Sequence, residues 1–418
     1  MSGERKAKLM GPVPPGYGAD ATGMLLIGGE RVDALVERAG DTPLFVYDTA
    51  LIGARIAHLR GAIPDAVDIH YAIKANSHPA LLRFMAGQVG GFDIASGGEL
   101  ALALASGMAA DAISFAGPGK RDDELTAAIR AGVALNLESE GECARAITIA
   151  DALGVQARLA VRVNPDFDLK GSGMRMGGGA KAFGVDAVRV PALIRQIIDA
   201  GADWQGLHIF AGSQALDAAS IAETQASTLA LADQLADAVG TAPPLVNIGG
   251  GLGVPYFPGD VPVDVAHVGG ELARSLSQSA LAQNGNTRFA MELGRYLVAE
   301  AGVYLTRIVD VKQSHGEDFA IVDGGLHHQL AASGNFGTVI RRNYPIAIAN
   351  HFDAPATHIV HVAGCLCTPL DKLGDAVLLP APSVGDLVAI FMAGAYGASA
   401  SPAAFLGHPA ARELILQA

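Results

Sequence analysis

The sequence predicts an α/β protein, a (β/α)8 TIM barrel plus a C-terminal, mostly antiparallel β domain. Three observations point there. Eight short β-like runs alternate with Ala-rich helical stretches, the alternation stops near Glu300, and charged or glycine-rich residues follow the β-like runs.

The β-like runs are Ile69–Ile73, Phe92–Ala95, Ile113–Ala116, Val133–Leu137, Leu159–Val163, Leu207–Phe210, Leu245–Ile248 and Phe289–Leu293. Between them lie helical patterns at Gly98–Gly107, Asp123–Ala131, Gly141–Leu153, Val190–Ala200 and Ala218–Val239. An open doubly wound sheet also alternates, but usually with fewer strands, so a closed barrel over 46–300 is favoured. Beyond it, Val303–Val311, Phe319–Val322, Thr357–Val362 and Leu387–Met392 read as strands without long helices between them, giving a β domain over 301–418. Met24–Val46, within an N-terminal segment at 1–45, is expected to add strands to that domain.

Composition excludes several functions. Of 418 residues, half are hydrophobic and 17% charged, enough for a large core, while Lys+Arg 29 against Asp+Glu 42 gives a net charge of -13. So acidic a surface repels nucleic acid and anionic lipid. Charges interrupt every long apolar stretch, and the first residues carry no apolar signal core, so a cytoplasmic location is expected. Cys143, Cys365 and Cys367 are too few for a disulfide framework, and a zinc site is unsupported by their spacing.

Catalytic groups of a barrel belong at the C-terminal ends of its strands. The first run ends at Lys74, where partial desolvation favours imine formation; a lysine snorkelling to solvent is the bland reading. The sixth run carries His208, ahead of Ser213, whose imidazole can lie against an aromatic cofactor, although a lone histidine is more often a core residue. The seventh leads into Gly249, Gly250 and Gly251, whose backbone N–H groups can close on a phosphate; glycine also serves any tight turn. Glu292, followed by Gly294 and Arg295, ends the eighth: a buried acid that needs a cationic partner, for which Arg295 is the bland choice.

Tyr71-Ala-Ile-Lys74-Ala-Asn76, Asp93-Ile-Ala-Ser-Gly-Gly-Glu99, His208…Gly212-Ser213-Gln214, Gly249-Gly-Gly-Leu-Gly253 and Glu292-Leu-Gly-Arg295 occur in this order with barrel spacing. Together they resemble the fold-type III pyridoxal 5'-phosphate (PLP) dependent decarboxylases, the diaminopimelate and ornithine decarboxylase superfamily, from about Thr42 to Gly397. The resemblance implies that Lys74 carries the cofactor, His208 stacks on its ring, and Glu292 keeps the pyridine nitrogen protonated. It implies further that Ser213, Gly249, Gly250, Gly251, Gly294 and Arg295 hold the phosphate region. Leu293 stands where the family usually has proline. Gly364-Cys-Leu-Cys367-Thr-Pro-Leu-Asp371 matches the family's catalytic-cysteine motif, and Ala395-Tyr396-Gly397 its late tyrosine by the cofactor. A homodimer with shared active sites is implied as well. Cys365 reads as an ordinary small residue.

Two departures bear on substrate. Thr368 follows the cysteine where the family has an acid that pairs with the substrate's far amino group, and Leu326-His-His-Gln-Leu-Ala-Ala-Ser-Gly-Asn335 replaces the arginine and tyrosine that grip a distal carboxylate. Cys367-Thr-Pro-Leu-Asp371 together with Ser172–Gly184 resembles the exosortase A system-associated branch and enzymes acting on carrier-tethered glutamate. The substrate expected is an L-α-amino acid with a neutral distal group, with glutamate on an acyl carrier protein as candidate. Thr368, Asp371 and Arg295 would contact it, and Lys170, Arg175, Lys181 or Arg341-Arg342 could meet an acidic carrier. The alternatives are a diaminopimelate or ornithine decarboxylase, an amino-acid racemase, and a non-catalytic PLP-binding protein. Glu292 weighs against the racemase, which uses arginine at that nitrogen; Cys367 and Tyr396 weigh against the non-catalytic protein.

Overall fold

The computed structural model describes residues 6–334 and 341–417, so Asn335 of the substrate motif lies outside it, as does the side chain of Arg175. The chain forms two compact units: Arg55–Val254 with Pro262–Tyr296, and Met1–Ala54 with Pro255–Val261 and Leu297–Ala418.

The first unit is a closed barrel of eight parallel strands, named here β1 to β8. They are Val67–Ala72, Gly91–Ile94, Ile113–Phe115, Ala134–Leu137, Arg158–Asn164, Asp203–Ile209, Leu245–Asn247 and Arg288–Leu293. Each pairs with the next, and β8 returns to β1 with Glu292 opposite His70. Closure leaves no strand edge to protect. The strands are near-continuous apolar runs because both faces are covered; Val67, Ile69 and Tyr71 of β1 are fully buried. Such burial contributes about 1.5–3 kcal/mol per large apolar side chain.

The covering helices show why the helical reading succeeds. Val190–Asp199 buries Val190, Leu193, Ile194 and Ile197, a spacing that places all four on one face. Ala218–Val239 starts at Asp217, whose carboxylate accepts from the Ser220 N–H, and stops at Gly240 in the left-handed conformation (φ 76°).

The second unit is a mixed, mostly antiparallel eight-stranded sheet. Its central path runs Ile346–Ile348, Leu387–Ile390, Gly302–Ser314, Glu317–Val322, His358–Ala363 and Lys372–Leu379. Leu44–Asp48 pairs antiparallel with the Gly302–Ser314 strand and parallel with Arg412–Leu416. The N-terminal part of this unit extends to Ala54. Leu25–Ile27, by contrast, does not join the large sheet: it pairs with Gly18–Ala19 and Glu30–Arg31 in a separate three-stranded sheet. Among the described residues no helix is long and apolar enough to cross a membrane.

Candidate active site

Strand β1 ends in a single tight turn, Ile73–Ala75, in which Ile73 and Ala75 are buried. That anchoring turns the intervening Lys74 outward, its side chain 46% exposed. Because β8 pairs with β1, Glu292 arrives beside it, with Lys74 Nζ 3.8 Å from Glu292 Oε1. On the other side of β8, across β7, His208 ends β6 and places Nε2 2.8 Å from Glu292 Oε2. Glu292 is only 7% exposed. Burial alone pushes its carboxyl up, but the hydrogen bond from His208 and the Lys74 charge outweigh it and hold the group down at about 2. A buried carboxylate is thus kept ionised at the barrel mouth.

These three residues line one cavity of about 210 Å³, together with Asp93, Arg162, Met176, Phe183 and Phe210. Lys74 Nζ lies 5.8 Å from the Phe210 ring centroid. The glycine-rich segment forms part of the wall: Met174–Arg175 pairs antiparallel with Gly212–Ser213, which holds Met176 and Phe183 toward the cavity.

The glycine run after β7 is built for close backbone approach. Gly249 and Gly251 have φ of 71° and 88°. A Cβ on Gly250 would stand 2.0 Å from the Glu292 carbonyl oxygen, and one on Gly249 2.8 Å from that of Ile209. Only glycine fits there. The neighbouring loop after β6 is stitched to it: Ala215 N–H donates to Gly251 O at 2.9 Å, and Gly253 N–H to Ala215 O at 2.8 Å. Ser213, half-buried, therefore sits on the same rim as the glycines. Gly294, packed against Ala72 and Ala75, brings half-buried Arg295 to the β8–β1 side. An amine at the cavity, a carboxylate held ionised beside it and a glycine cradle with no room for side chains suit PLP in its amine, ring-nitrogen and phosphate requirements.

Sequence reasoning missed a second buried cluster. Arg162 of β5 pairs with Glu138, just past β4, at 2.8 Å, and stacks its guanidinium 5.1 Å from the Phe183 ring centroid. Burial pushes the Glu138 carboxyl up, yet Arg162 and the Gly184 N–H bring it below its ordinary value. Lys120 pairs with Glu142 at 2.7 Å and donates to the carbonyls of Gly117 and Asn136. The available signal was Arg162 itself, a charge within an apolar strand, Ala160-Val-Arg-Val163.

The other expected site residues lie in the β-rich unit. Cys367 is exposed, Thr368 and Tyr396 half-buried. Tyr396 has a left-handed backbone (φ 57°), which for a non-glycine residue costs about 1–2 kcal/mol and marks a position under constraint. Asp371, expected to contact substrate, is only 4% exposed, and its two oxygens accept from the Leu326 and Leu366 N–H groups at 2.6 and 2.8 Å. These two hydrogen bonds tie the turn carrying Cys367 and Thr368 to Leu326.

The description "pyridoxal-dependent decarboxylase, pyridoxal binding domain" belongs to the family model that matches residues 49–299. Among curated proteins, an L-glutamyl-[BtrI acyl-carrier protein] decarboxylase of Niallia circulans is 36% identical over 92% of this chain and 91% of its own length. A diaminopimelate decarboxylase of Methanothermobacter thermautotrophicus is 32% identical over 91% and 87%. The crystal structure of a Helicobacter pylori diaminopimelate decarboxylase with L-lysine superposes with a TM-score of 0.81 at 28% identity, covering 93% of this chain and 94% of that one. The chain belongs to the pyridoxal-dependent decarboxylases and is a PLP-dependent amino-acid carboxy-lyase.

Proposed function

We propose that this enzyme releases CO2 from an L-α-amino acid whose distal group is neutral, with glutamate held as a carrier-protein thioester the leading candidate. The observation that carries the reading is Thr368, directly after Cys367. A free diamino acid brings a distal ammonium into the site, and a desolvated ammonium facing a hydroxyl instead of a carboxylate loses several kcal/mol. The 36% identity to a glutamyl-carrier-protein decarboxylase supports the same substrate class.

Within this reading Lys74 anchors PLP, Ser213, Gly249, Gly250, Gly251, Gly294 and Arg295 hold its phosphate region, and Glu292 faces its ring nitrogen. Bound there, PLP supplies an electron sink for the pair left on Cα when the carboxylate departs. Glu292, held anionic, would favour a protonated ring nitrogen, while His208, hydrogen-bonded to Glu292, would stack on the ring. Cys367 delivers a proton to Cα after CO2 leaves, and Tyr396 lies by the cofactor. The assembly proposed is a cytoplasmic homodimer with shared active sites, in which Cys367 reaches the partner's cofactor. Carrier docking would fall either to the exposed Lys181 or to the exposed Arg342, since Lys170 already pairs with Glu223 at 3.0 Å and Arg341 donates to Leu370 O.

The test is CO2 release by the PLP-loaded enzyme from diaminopimelate, ornithine, lysine, arginine, glutamate and glutamyl-carrier-protein thioester. Release confined to the tethered substrate is expected. Efficient turnover of diaminopimelate or ornithine would overturn the reading of Thr368.

A further inference from the structure

The β-rich unit contains a cluster of side chains that decarboxylation does not use. His327 follows the Glu317–Val322 strand, Cys365 follows His358–Ala363, and His408 precedes Arg412–Leu416. One ligand atom of each lies within 4.8 Å of the others. Cys365 Sγ is 3.9 Å from His408 Nδ1, and the His327 and His408 ring centroids are 5.1 Å apart. His327 is fully buried, and neither of its ring nitrogens has a hydrogen-bond partner among the described residues. Leaving a buried polar atom unmet costs about 1–3 kcal/mol. His328 beside it has no such deficit: Tyr304 Oη lies 3.0 Å from its Nδ1 and the Pro409 carbonyl 2.8 Å from its Nε2. The shortfall is therefore specific to the imidazole that faces Cys365 and His408.

We propose that His327, Cys365 and His408 together bind one divalent transition-metal ion of the zinc class. Two imidazoles and a thiolate form a donor set that zinc favours. Zn–S and Zn–N bonds of about 2.3 and 2.0–2.1 Å set tetrahedral S and N donors roughly 3.6 Å apart. The Cys365–His408 separation is already close to that, and His327 needs only a small closing movement. Coordination gives His327 the partner it lacks and releases the Cys365 thiol proton to solvent. Three protein ligands leave a fourth position for water or another donor. Bound there, the ion ties the segment before the last strand to two loops of the sheet.

The test uses the full-length, PLP-loaded enzyme, stripped with a chelator and desalted. Zn2+ is titrated in competition with a chromophoric chelator, and Co2+ is titrated while the near-ultraviolet thiolate-to-metal charge-transfer band and the visible d–d bands are followed. One equivalent per chain with a charge-transfer band is expected. Cys365→Ser should remove that band and His408→Ala the saturable equivalent, whereas Cys367→Ser should keep both. Absence of a saturable equivalent in the unaltered enzyme overturns the proposal without any variant. So does a charge-transfer band that survives Cys365→Ser or disappears with Cys367→Ser, because the thiolate ligand would then be a different cysteine.

Discussion

Lys74, His208 and Glu292 gather where β1, β6 and β8 end, while Lys120, Glu138, Glu142 and Arg162 gather near β4 and β5. Both groups bury carboxylates against cations, yet they leave different amounts unfinished. Lys120 and Glu142 are 2% and 3% exposed in their side chains and 2.7 Å apart; Arg162 and Glu138 are 9% and 2% exposed and 2.8 Å apart. Backbone groups add to these pairs: Gly117 and Gly184 N–H donate to Glu138, and Glu138 N–H to Glu142. In the other cluster Lys74 is 46% exposed and stands 3.8 Å from Glu292, too far for a hydrogen bond. A closed network fixes the scaffold, whereas an open one has room for a further charged group. Under the proposed function, chemistry belongs to the open one.

Substitutions can break this comparison. The largest effect is expected for Lys74→Ala, which should lower turnover by more than about 10⁴-fold and abolish the visible-edge absorbance of bound cofactor. Retention of that absorbance would remove Lys74 from the anchoring role. Next is Glu138→Ala. It strands Arg162 as a buried unpaired charge, a loss of about 3–5 kcal/mol that thermal or urea unfolding will read as a much lower midpoint. Glu292→Gln should differ, cutting kcat by roughly 10²–10³-fold while the unfolding midpoint near neutral pH falls less than for Glu138→Ala. The partners it releases are a half-exposed lysine and an imidazole that can still donate to the amide oxygen of the new glutamine. Equal destabilisation by the two glutamate substitutions would mean that the distinction between closed and open clusters is false.

What the sequence disclosed follows the same line. Lys74 and Glu292 were legible because each closes an apolar run of period-free burial, where a charge has no structural excuse, and because barrel strands point their ends at a common mouth. All eight barrel strands were legible for the related reason that burial on both faces forces continuous apolar runs. Glu138 and Lys120 were not, since each follows a β-like run in a loop where a solvated charge is the ordinary expectation. The backbone N–H partners of Asp371 were not legible, since every residue carries such a group and no motif reveals which one is met. Leu25–Ile27 is three residues long, too short for its pattern to say which sheet it joins. His327, Cys365 and His408 are separated by spacings unlike any metal motif, and only the fold of the β-rich unit makes them neighbours.

The smallest effect expected is a pH dependence, and its sign separates an ionised Glu292 from a neutral one. An ordinary glutamate titrates near 4.5, and in the fold Glu292 is held at about 2. A depressed carboxyl contributes stability in full above its unfolded value, and that contribution is lost as pH falls from about 4.5 toward about 2. Glu292→Gln has no such contribution to lose. The wild-type midpoint should therefore fall faster than that of E292Q as the solution is acidified through this window, and the difference between them should shift in favour of the variant. Glu138, whose carboxyl is also depressed, is present in both proteins and cancels from the difference. Melting curves for the two proteins, in the same cofactor state and at steps from about pH 6 to about pH 3, supply the measurement. A difference that stays constant across the window would mean that Glu292 titrates in the fold as it does unfolded, and that His208 and Lys74 do not hold it ionised.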